Sequence, residues 1–296
     1  MADRRAFTRF ITVSFKGEEM QRRNFLTGAA AAGVALATGS VNADLIIPGR
    51  RRGNPRPEED NSANVQGYVL LETYFSQSVE KRQALLDAFD KKLIPERNEL
   101  GFDKVGVFYV DVDLMKDDRG YNAQLYDSAV FVVQETTSIE SFLSLQDRSA
   151  QRGPQFNLSD DLDYIDEEMV VVRSIACQPR LAVPYSNSER LLQLRTYNSP
   201  NYERNFAKAQ MFESAEHDLF RRCGMLTVFM GTAVFGSWVP NVTYMLSFEN
   251  NEARREGWSK FGQSPEWGKL SKDPQYARTA TRIRNLFLRP SQESQI

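Results

Sequence analysis

From residue 67 onward, short segments of alternating apolar and polar residues are separated by segments with helical spacing. Tyr68–Phe75 alternates with a period of two, which predicts a strand. Ser78–Leu100 places large apolar side chains three and four positions apart, which predicts a helix. Gly101 comes next, and a glycine at this position typically ends a helix.

The remainder of the first half continues with strands and one more helix. The same two patterns predict the strands Lys104–Val110 and Ser128–Gln134, the helix Ile139–Asp147 and the strand Met169–Cys177. A polar insertion, Asp111–Asp127, separates the second and third strands. The predicted order of elements in this half is therefore βαββαβ.

The second half of the chain repeats the first at a constant offset of 123 residues. The matched pairs are Leu71 and Leu194, Thr73 and Thr196, Tyr74 and Tyr197, Phe89 and Phe212, Gly101 and Gly224, and Val105 and Val228. The elements predicted in the second copy are the strand Leu191–Tyr197, the helix Pro200–Arg222, the strands Met225–Phe235 and Val242–Phe248, the helix Glu252–Phe261 and the strand Arg282–Leu288. A match of this length indicates one supersecondary unit used twice.

The repeat predicts how the chain folds. A βαββαβ unit forms an antiparallel sheet with both helices on one face, so the opposite apolar face needs a partner. We therefore predict an α+β fold in which two tandem ferredoxin-like domains, residues 67–180 and 188–290, pack sheet to sheet as an intramolecular dimeric α/β barrel. Residues 291–296 are left as a C-terminal tail, and the chain is expected to be a monomer.

The N-terminus has the features of an export signal. A twin-arginine pair, Arg22-Arg23, is followed by Phe25 and Leu26 and then by an uncharged, alanine-rich run. We predict a twin-arginine signal peptide over residues 1–43, cleavage after Ala43 and a disordered linker over residues 44–66. The Tat route carries folded proteins, so we expect a folded protein in the periplasm or outside the cell; translation can start at Met1 or Met20.

Composition and charge narrow the classes of partner. The 296 residues carry 37 Lys or Arg and 39 Asp or Glu, and no stretch approaches the length of apolar sequence that spans a bilayer. The predicted signal peptide holds six of the basic residues and three of the acidic ones, so the remaining chain is acidic. An acidic chain without a basic stripe argues against a nucleic-acid partner.

The residues that bind metals are few. Cys177, Cys223 and His217 are the only cysteines and histidine, which excludes the usual four-ligand zinc sites. The two cysteines are either bridged or are two separate buried thiols. In the polar insertion, Asp111, Asp113, Asp117 and Asp118 lack the spacing of a calcium loop. We expect no metal and no cofactor.

Several strings of the second copy resemble the NIPSNAP family. They are Leu194-Arg195-Thr196-Tyr197, Pro240 to Leu246, Arg255 to Phe261, Ser264-Pro265-Glu266-Trp267 and the ending Arg289-Pro290 through Ile296. The resemblance is strong over residues 189–296 and weaker over residues 67–179. It implies a dimeric α/β-barrel-type fold, but the family has no shared catalytic residues to carry over. This chain has Phe235 to Val239 where many members have an acidic turn.

Strand alternation suggests a pocket inside the barrel. If Leu71, Thr73 and their counterparts face the helices, then Glu72, Tyr74, Arg195 and Tyr197 face the interior. Glu72 and Arg195 occupy equivalent positions with opposite charge, which predicts an internal ion pair flanked by two tyrosines. This pair either anchors a small polar ligand or only fixes the pairing of the two halves.

Trp238 and Asn241 lie between two predicted strands, where they either cap the barrel mouth as part of a ligand site or are ordinary turn residues. These patterns predict a protein that binds a small molecule or a protein partner through the barrel. An alternative is a cofactor-independent monooxygenase or isomerase of the same barrel type, by analogy of fold. A third is an assembly protein that pairs strand edges between chains.

Overall fold

Eight antiparallel strands close into one barrel in a computed structural model, which describes residues 66–118, 120–144 and 164–296. In chain order the strands are β1 (Tyr68–Ser76), β2 (Val105–Val110), β3 (Ala129–Thr136), β4 (Tyr164–Ser174), β5 (Leu191–Asn198), β6 (Leu226–Gly236), β7 (Asn241–Phe248) and β8 (Arg282–Pro290). All eight strands were predicted. The predicted signal peptide, its cleavage at Ala43 and nearly all of the predicted linker lie outside the described residues.

The order of strands around the barrel is β1-β3-β2-β8-β5-β7-β6-β4. Two pairings join the halves of the chain: Phe108–Val110 of β2 with Leu288–Pro290 of β8, and Val170–Ser174 of β4 with Gly231–Gly236 of β6. Each of these strands therefore has a neighbour on both sides. A closed barrel has no free strand edge, so these eight strands do not support assembly through strand edges.

The helices lie outside the barrel, and the longest helix of each half has the same internal structure. Helix α1 runs as Val79–Ala88, a π-helical turn at Phe89–Leu93 and Ile94–Glu99. Its counterpart α5 runs as Tyr202–Met211, a π-helical turn at Phe212–Glu216 and His217–Arg222. The two π turns lie 123 residues apart. The other helices are α2 (Val112–Met115), α3 (Ala123–Tyr126), α4 (residues 139–144), α6 (Asn251–Gln263) and α7 (Pro265–Leu270), with a 3-10 turn at Pro274–Tyr276.

Both long helices also begin and end alike. The side chains of Ser78 and Asn201 each accept a hydrogen bond from the backbone three residues later, which satisfies one of the free amides of the first turn. Gly101 and Gly224 follow the last helical turn with φ angles of 91° and 79°. Glycine adopts this left-handed backbone without the steric cost that other residues pay, so it ends the helix cleanly.

Both faces of the barrel wall are buried. The interior is filled by a cluster that takes side chains from every strand: Val69, Phe108, Phe131, Val172, Leu194, Val228, Met245 and Leu288. A second cluster packs the outer face of β1, β2 and β3 against α1. A third cluster packs the outer face of β5, β6 and β7 against α5 and α6. Full burial of an apolar side chain of this size contributes about 1.5–3 kcal/mol, so three such layers stabilise the fold.

One end of the barrel is covered by the chain between the halves and by the C-terminal residues. The amides of Ser291 and Gln295 donate to the carbonyls of Val107 and Val105, so the tail continues the pairing of β2 beyond β8. Ile296 is 2% exposed and belongs to the interior cluster. Arg190 binds the Ile296 carbonyl from Nη2 at 2.9 Å. The predicted tail is thus a docked segment.

The polar insertion covers the other end of the barrel. Its helices α2 and α3 place Met115 and Tyr126 in the interior cluster. The predicted strand Met169–Cys177 is wrong in its bounds, since β4 starts at Tyr164. The acidic sequence of residues 166–168 hides this start, but pairing with β1 extends the strand through it.

Candidate functional site

The orientation predicted for Glu72, Tyr74, Arg195 and Tyr197 is wrong. Leu71 and Leu194 belong to the barrel interior, so the four side chains, which lie one or three positions further along their strands, face the helices. Tyr74 packs edge-on against Phe89 of α1 at 4.9 Å between ring centroids, and Tyr197 packs against Phe212 of α5. Alternation fixes which residues share a face. It could not tell the two faces apart here, because both are buried.

The predicted ion pair between Glu72 and Arg195 is also wrong, because each residue has partners in its own half. Glu72 is 1% exposed, and its Oε1 lies 3.3 Å from Arg97 Nη2 on α1. Gln134 Nε2 lies 3.5 Å from the other carboxylate oxygen. Burial raises the pKa of Glu72, and Arg97 opposes that shift. These contacts tie β1 and β3 to α1.

The counterpart in the second half is a larger polar group, here called the buried polar cluster: Arg195, Tyr197, Lys208, Glu216 and Tyr244. The hydroxyls of Tyr197 and Tyr244 lie 2.9 Å apart. Arg195 Nε donates to the Tyr197 hydroxyl at 3.1 Å. Tyr244 is fully buried, and desolvation raises its pKa well above 10.0. The cluster therefore holds a guanidinium and two phenol hydroxyls in contact.

Helix α5 adds an ion pair to the buried polar cluster. Lys208 Nζ lies 2.7 Å from Glu216 Oε2, and the two side chains are 5% and 2% exposed. Lys208 Nζ also lies 4.2 Å from the centroid of the Phe212 ring, a cation–π contact. A regular helix aligns residues about seven apart, and the extra residue of the π turn brings the eight-residue spacing of Lys208 and Glu216 onto one face.

The first half shows that the fold does not require this ion pair. At the offset of 123, Lys208 and Glu216 correspond to Leu85 and Leu93, which are 2% and 4% exposed and pack in an apolar layer. The same helix with the same π turn therefore packs on the same kind of sheet with leucines in place of the charges. Moving two charges out of water costs several kcal/mol per ion, which good geometry only offsets. The second half carries this cost at these two positions, whereas the first half has its own buried ion pair, Glu72–Arg97, at another place.

Hydrogen bonds continue from the buried polar cluster toward the surface. Arg195 Nη1 lies 3.3 Å from Asn285 Oδ1 on β8, and Gln193 Nε2 donates to the same oxygen at 2.6 Å. Trp258 Nε1 on α6 donates to Gln193 Oε1 at 2.7 Å. Arg195, Trp258 and Asn285 are only half-buried. The cluster therefore has a partly exposed edge between β8 and α6.

Trp238 and Asn241 lie at the barrel end, on the β6–β7 hairpin, away from the buried polar cluster. Trp238 has a left-handed backbone with φ of 65°. Asn241 is fully buried, donates to the Ser237 carbonyl and accepts from the Thr243 hydroxyl. The six residues predicted as one pocket are therefore distributed over three places in the structure.

A groove of about 890 Å³ lies on the surface where β2 and β8 meet. Its lining includes Arg82, Tyr109, Asp111, Glu189, Asn251 and Arg289. Arg289 Nε and Asp111 Oδ2 form an ion pair at 2.8 Å along it. The groove contains no residue of the buried polar cluster.

The remaining candidate residues have structural contacts. His217 Nε2 lies 3.2 Å from Gln178 Oε1, and burial lowers the pKa of His217. Cys177 and Cys223 are both free thiols. Asp111 caps α2, and Asp118 Oδ2 accepts a hydrogen bond from Asn285.

Within residues 66–118, 120–144 and 164–296, no group of three or more potential metal ligands is found. No helix in these ranges is long and apolar enough to cross a membrane.

Sequence reasoning missed Lys208, Glu216 and Tyr244. A signal was present, because aligning the two copies puts Lys208 and Glu216 opposite two leucines. A charge at a position that is apolar in the other copy marks a site that the common fold does not explain. Tyr244 gives no such signal, since an aromatic residue is ordinary in a strand.

The closed barrel with helices outside it is shared with solved structures of other proteins. A crystal structure of a proposed monooxygenase from Lactobacillus acidophilus NCFM has a TM-score of 0.52 at 7% identity, over 78% of this chain and 99% of that one. One of a proposed monooxygenase from Fusobacterium nucleatum has a TM-score of 0.50 at 10% identity, over 77% of this chain and 94% of that one. At such identities the likeness shows the fold alone.

Residues 192–295, in the second half of the chain, match the family model described as NIPSNAP. The crystal structure of a NIPSNAP-like domain protein from Burkholderia xenovorans is 23% identical, over 36% of this chain and 89% of that one, with a TM-score of 0.32. Residues 19–39 match the twin-arginine translocation signal sequence, so the chain carries the signal for Tat export. No curated protein matches the sequence. The predicted resemblance and export route are confirmed.

Proposed function

We propose that the chain is an exported protein that binds a small molecule at the buried polar cluster of its NIPSNAP domain. The observation that carries this proposal is the Lys208–Glu216 ion pair, which is buried at positions that the other half fills with leucine. Perturbed titratable groups cluster at functional sites, and π turns are frequent there. An ion pair that the fold does not need is best explained by a ligand.

The chemistry of the cluster suggests the kind of ligand. Arg195 and the hydroxyls of Tyr197 and Tyr244 offer polar contacts, while the rings of Phe220 and Trp258 offer flat apolar surfaces. A small planar molecule with a polar group matches both. Entry is at the half-buried edge formed by Arg195, Trp258 and Asn285. In this proposal the ligand binds at that edge, on the helix side of the sheet where the buried polar cluster lies.

The test exchanges the second half's ion pair for the first half's leucines. Native mass spectrometry of the protein isolated from its own cell envelope should show a bound mass that denaturation releases. The Lys208→Leu/Glu216→Leu variant should be folded and lack that mass. Its control, Leu85→Met/Leu93→Met, changes the equivalent positions of the first half and should keep it. A wild-type protein without bound mass, or a double variant that retains it, would contradict the proposal.

A second candidate function is a cofactor-independent monooxygenase or isomerase at the same cluster. Burial raises the pKa of Glu216, and a carboxyl with a raised pKa beside two phenols is suited to proton transfer at neutral pH. The proposed monooxygenases of similar fold are consistent with this candidate by analogy only. Oxygen uptake with hydroxylated aromatic compounds, abolished in Glu216→Gln, would favour it over simple binding.

We also infer that the fold is a tandem duplication of one ferredoxin-like unit, with domains at residues 67–180 and 188–290. The strand orders β4-β1-β3-β2 and β8-β5-β7-β6 support it, because each is the order expected for one βαββαβ unit. The paired helix caps, π turns and left-handed glycines support it as well. Two units in one chain already close the barrel, so light scattering should give a monomer; a stable dimer would contradict this inference.

A further inference from the structure

Two arginines lie on the interior face of β8 at the barrel end where that strand begins. Arg282 and Arg284 are two positions apart and share a face with Leu286 and Leu288, which belong to the interior cluster. Arg282 is exposed, and Arg284 is half-buried. The interior face of β8 therefore becomes basic at this end of the barrel.

The neighbouring strands surround these arginines with neutral polar side chains. Arg284 pairs with Thr196 of β5, which pairs with Thr243 of β7. Arg282 pairs with Asn198, which pairs with Asn241. Directly paired residues lie on the same face of a sheet, so two rows of polar side chains run across the second sheet. The two rows contain donors and neutral acceptors but no carboxylate.

The guanidinium groups of both arginines make cation–π contacts with the indole of Trp238. Arg282 Cζ lies 4.6 Å and Arg284 Cζ 4.5 Å from the centroid of that ring. Asn198 Nδ2 donates to the Trp238 carbonyl at 2.6 Å, and Asn241 Nδ2 donates to the Ser237 carbonyl at 3.2 Å. These bonds fix the hairpin that carries Trp238. The two cations are therefore positioned before any ligand arrives.

Neither arginine is neutralised within the described part of the chain. Arg289 on the same strand pairs with Asp111, but none of the ion pairs in the described ranges includes Arg282 or Arg284. Arg284 Nη1 donates to the neutral Tyr126 hydroxyl at 3.0 Å. Two like charges against one ring repel each other, and an anion between them would relieve that repulsion. The planar guanidinium fork matches the oxygens of carboxylate and phosphate groups.

We propose that Arg282, Arg284 and Trp238 form a binding site for the oxyanion group of a small molecule, a carboxylate or a phosphate. This site is separate from the buried polar cluster, which lies on the opposite face of the sheet. Glu168 of β4 pairs with Thr73 of β1, and Arg284 of β8 pairs with Thr196, the equivalent residue of β5. Glu168 therefore lies at the same end of the barrel as Arg284, on the opposite wall. Asp166 lies two residues earlier on β4. The negative charge of β4 is therefore on the opposite wall from the two arginines, so an anion at this end is expected to bind on the β8 side.

Calorimetric titration with sodium phosphate and with sodium benzoate, at constant ionic strength set with chloride, tests this site. The wild-type protein should bind at least one of the two saturably. The Arg282→Gln/Arg284→Gln variant should bind about tenfold or more weakly, since each arginine loses charge-assisted hydrogen bonds. Phosphate binding alone would assign a phosphate ligand, and benzoate binding alone a carboxylate. Absence of saturable binding of both anions by the wild type would overturn the proposal.

Two further variants separate the site from general charge and from folding. Arg255→Gln removes one exposed positive charge on α6 and should leave the affinity within about twofold. Arg282→Gln alone changes an exposed side chain, so it tests the site even where the double variant is unstable. An affinity that stays within about twofold of wild type in Arg282→Gln and in any folded double variant would also overturn the proposal.

Discussion

At the scale of single residues, Lys208 and Glu216 are two buried charges of the second half at positions where the first half has leucine. Their burial raises the pKa of Glu216, and Lys208 opposes that shift without removing it. Two buried charges depend on each other, because either one alone would be left in an apolar layer without a counter-charge. The fold therefore tolerates the two charges together, but either charge without the other would destabilise it.

Removing one partner should destabilise the protein far more than removing both. Glu216→Leu alone leaves the Lys208 ammonium unpaired and should lower the free energy of unfolding by about 3–5 kcal/mol. The Lys208→Leu/Glu216→Leu variant restores the apolar arrangement of the first half and should be neutral or more stable by about 1–4 kcal/mol. Urea unfolding of the wild type and these variants measures both. Equal destabilisation by the single and double changes would contradict this prediction.

The single histidine gives a pH dependence with a defined sign. Burial lowers the pKa of His217 below 6.5, so the unfolded chain binds a proton more readily than the folded one. The stability that the neutral imidazole contributes is present above pH 6.5 and is lost as pH falls through the folded pKa. The proton NMR titration of this imidazole should have its midpoint below 6.5. His217→Gln should reduce the loss of stability between pH 7 and pH 5, and an unchanged loss would show that other groups cause it.

At the scale of elements, sequence periodicity predicted every strand and both long helices, because each element has one clear period. It failed on the direction that strand side chains face. Glu72 and Arg195 lie in strands whose two faces are both buried, since the interior and helix layers are both packed. A polar residue in such a strand normally suggests the solvent side, but no side of these strands is open to solvent. The candidate site was therefore assigned to the wrong layer.

The two helix ends make a matched pair for mutagenesis. An added Cβ at Gly101 or Gly224 meets no atom within 4 Å, so alanine there only introduces the strain of a positive φ. Each change should destabilise the protein by about 1–2 kcal/mol, and by similar amounts in the two halves. Gly262→Ala is the control, because this helical glycine also has free space but no positive φ and should gain about 0.5–1 kcal/mol. Thermal unfolding distinguishes the signs, and stabilisation by Gly101→Ala or Gly224→Ala would contradict the strain argument.

At the scale of the whole molecule, closure of the barrel depends on contacts between residues far apart in the chain. β2 pairs with β8, and the docked tail then covers the part of β2 that β8 does not reach. Sequence reasoning predicted the tail as a separate segment, because six residues rich in serine and glutamine carry no periodic pattern. Only the folded barrel provides the backbone groups and the cavity that the tail fills.

The tail should contribute measurably to stability through its last side chain. Ile296→Ala removes buried methyl groups from the interior cluster and should cost about 2–4 kcal/mol. Glu293→Ala changes an exposed position of the same segment and should stay within about 0.5 kcal/mol of wild type. Chemical denaturation of both variants measures the difference. Equal stabilities would mean that the tail is not part of the cooperative fold.

The order of the strands has a consequence for export. Of the eight described strands, β8 comes last in the chain, and its pairing with β2 closes the barrel. The barrel therefore cannot close before residue 290 has left the ribosome. The Tat machinery accepts folded cargo, and the signal at residues 19–39 is synthesised well before that point. Transport must therefore wait until the last of these strands is in place.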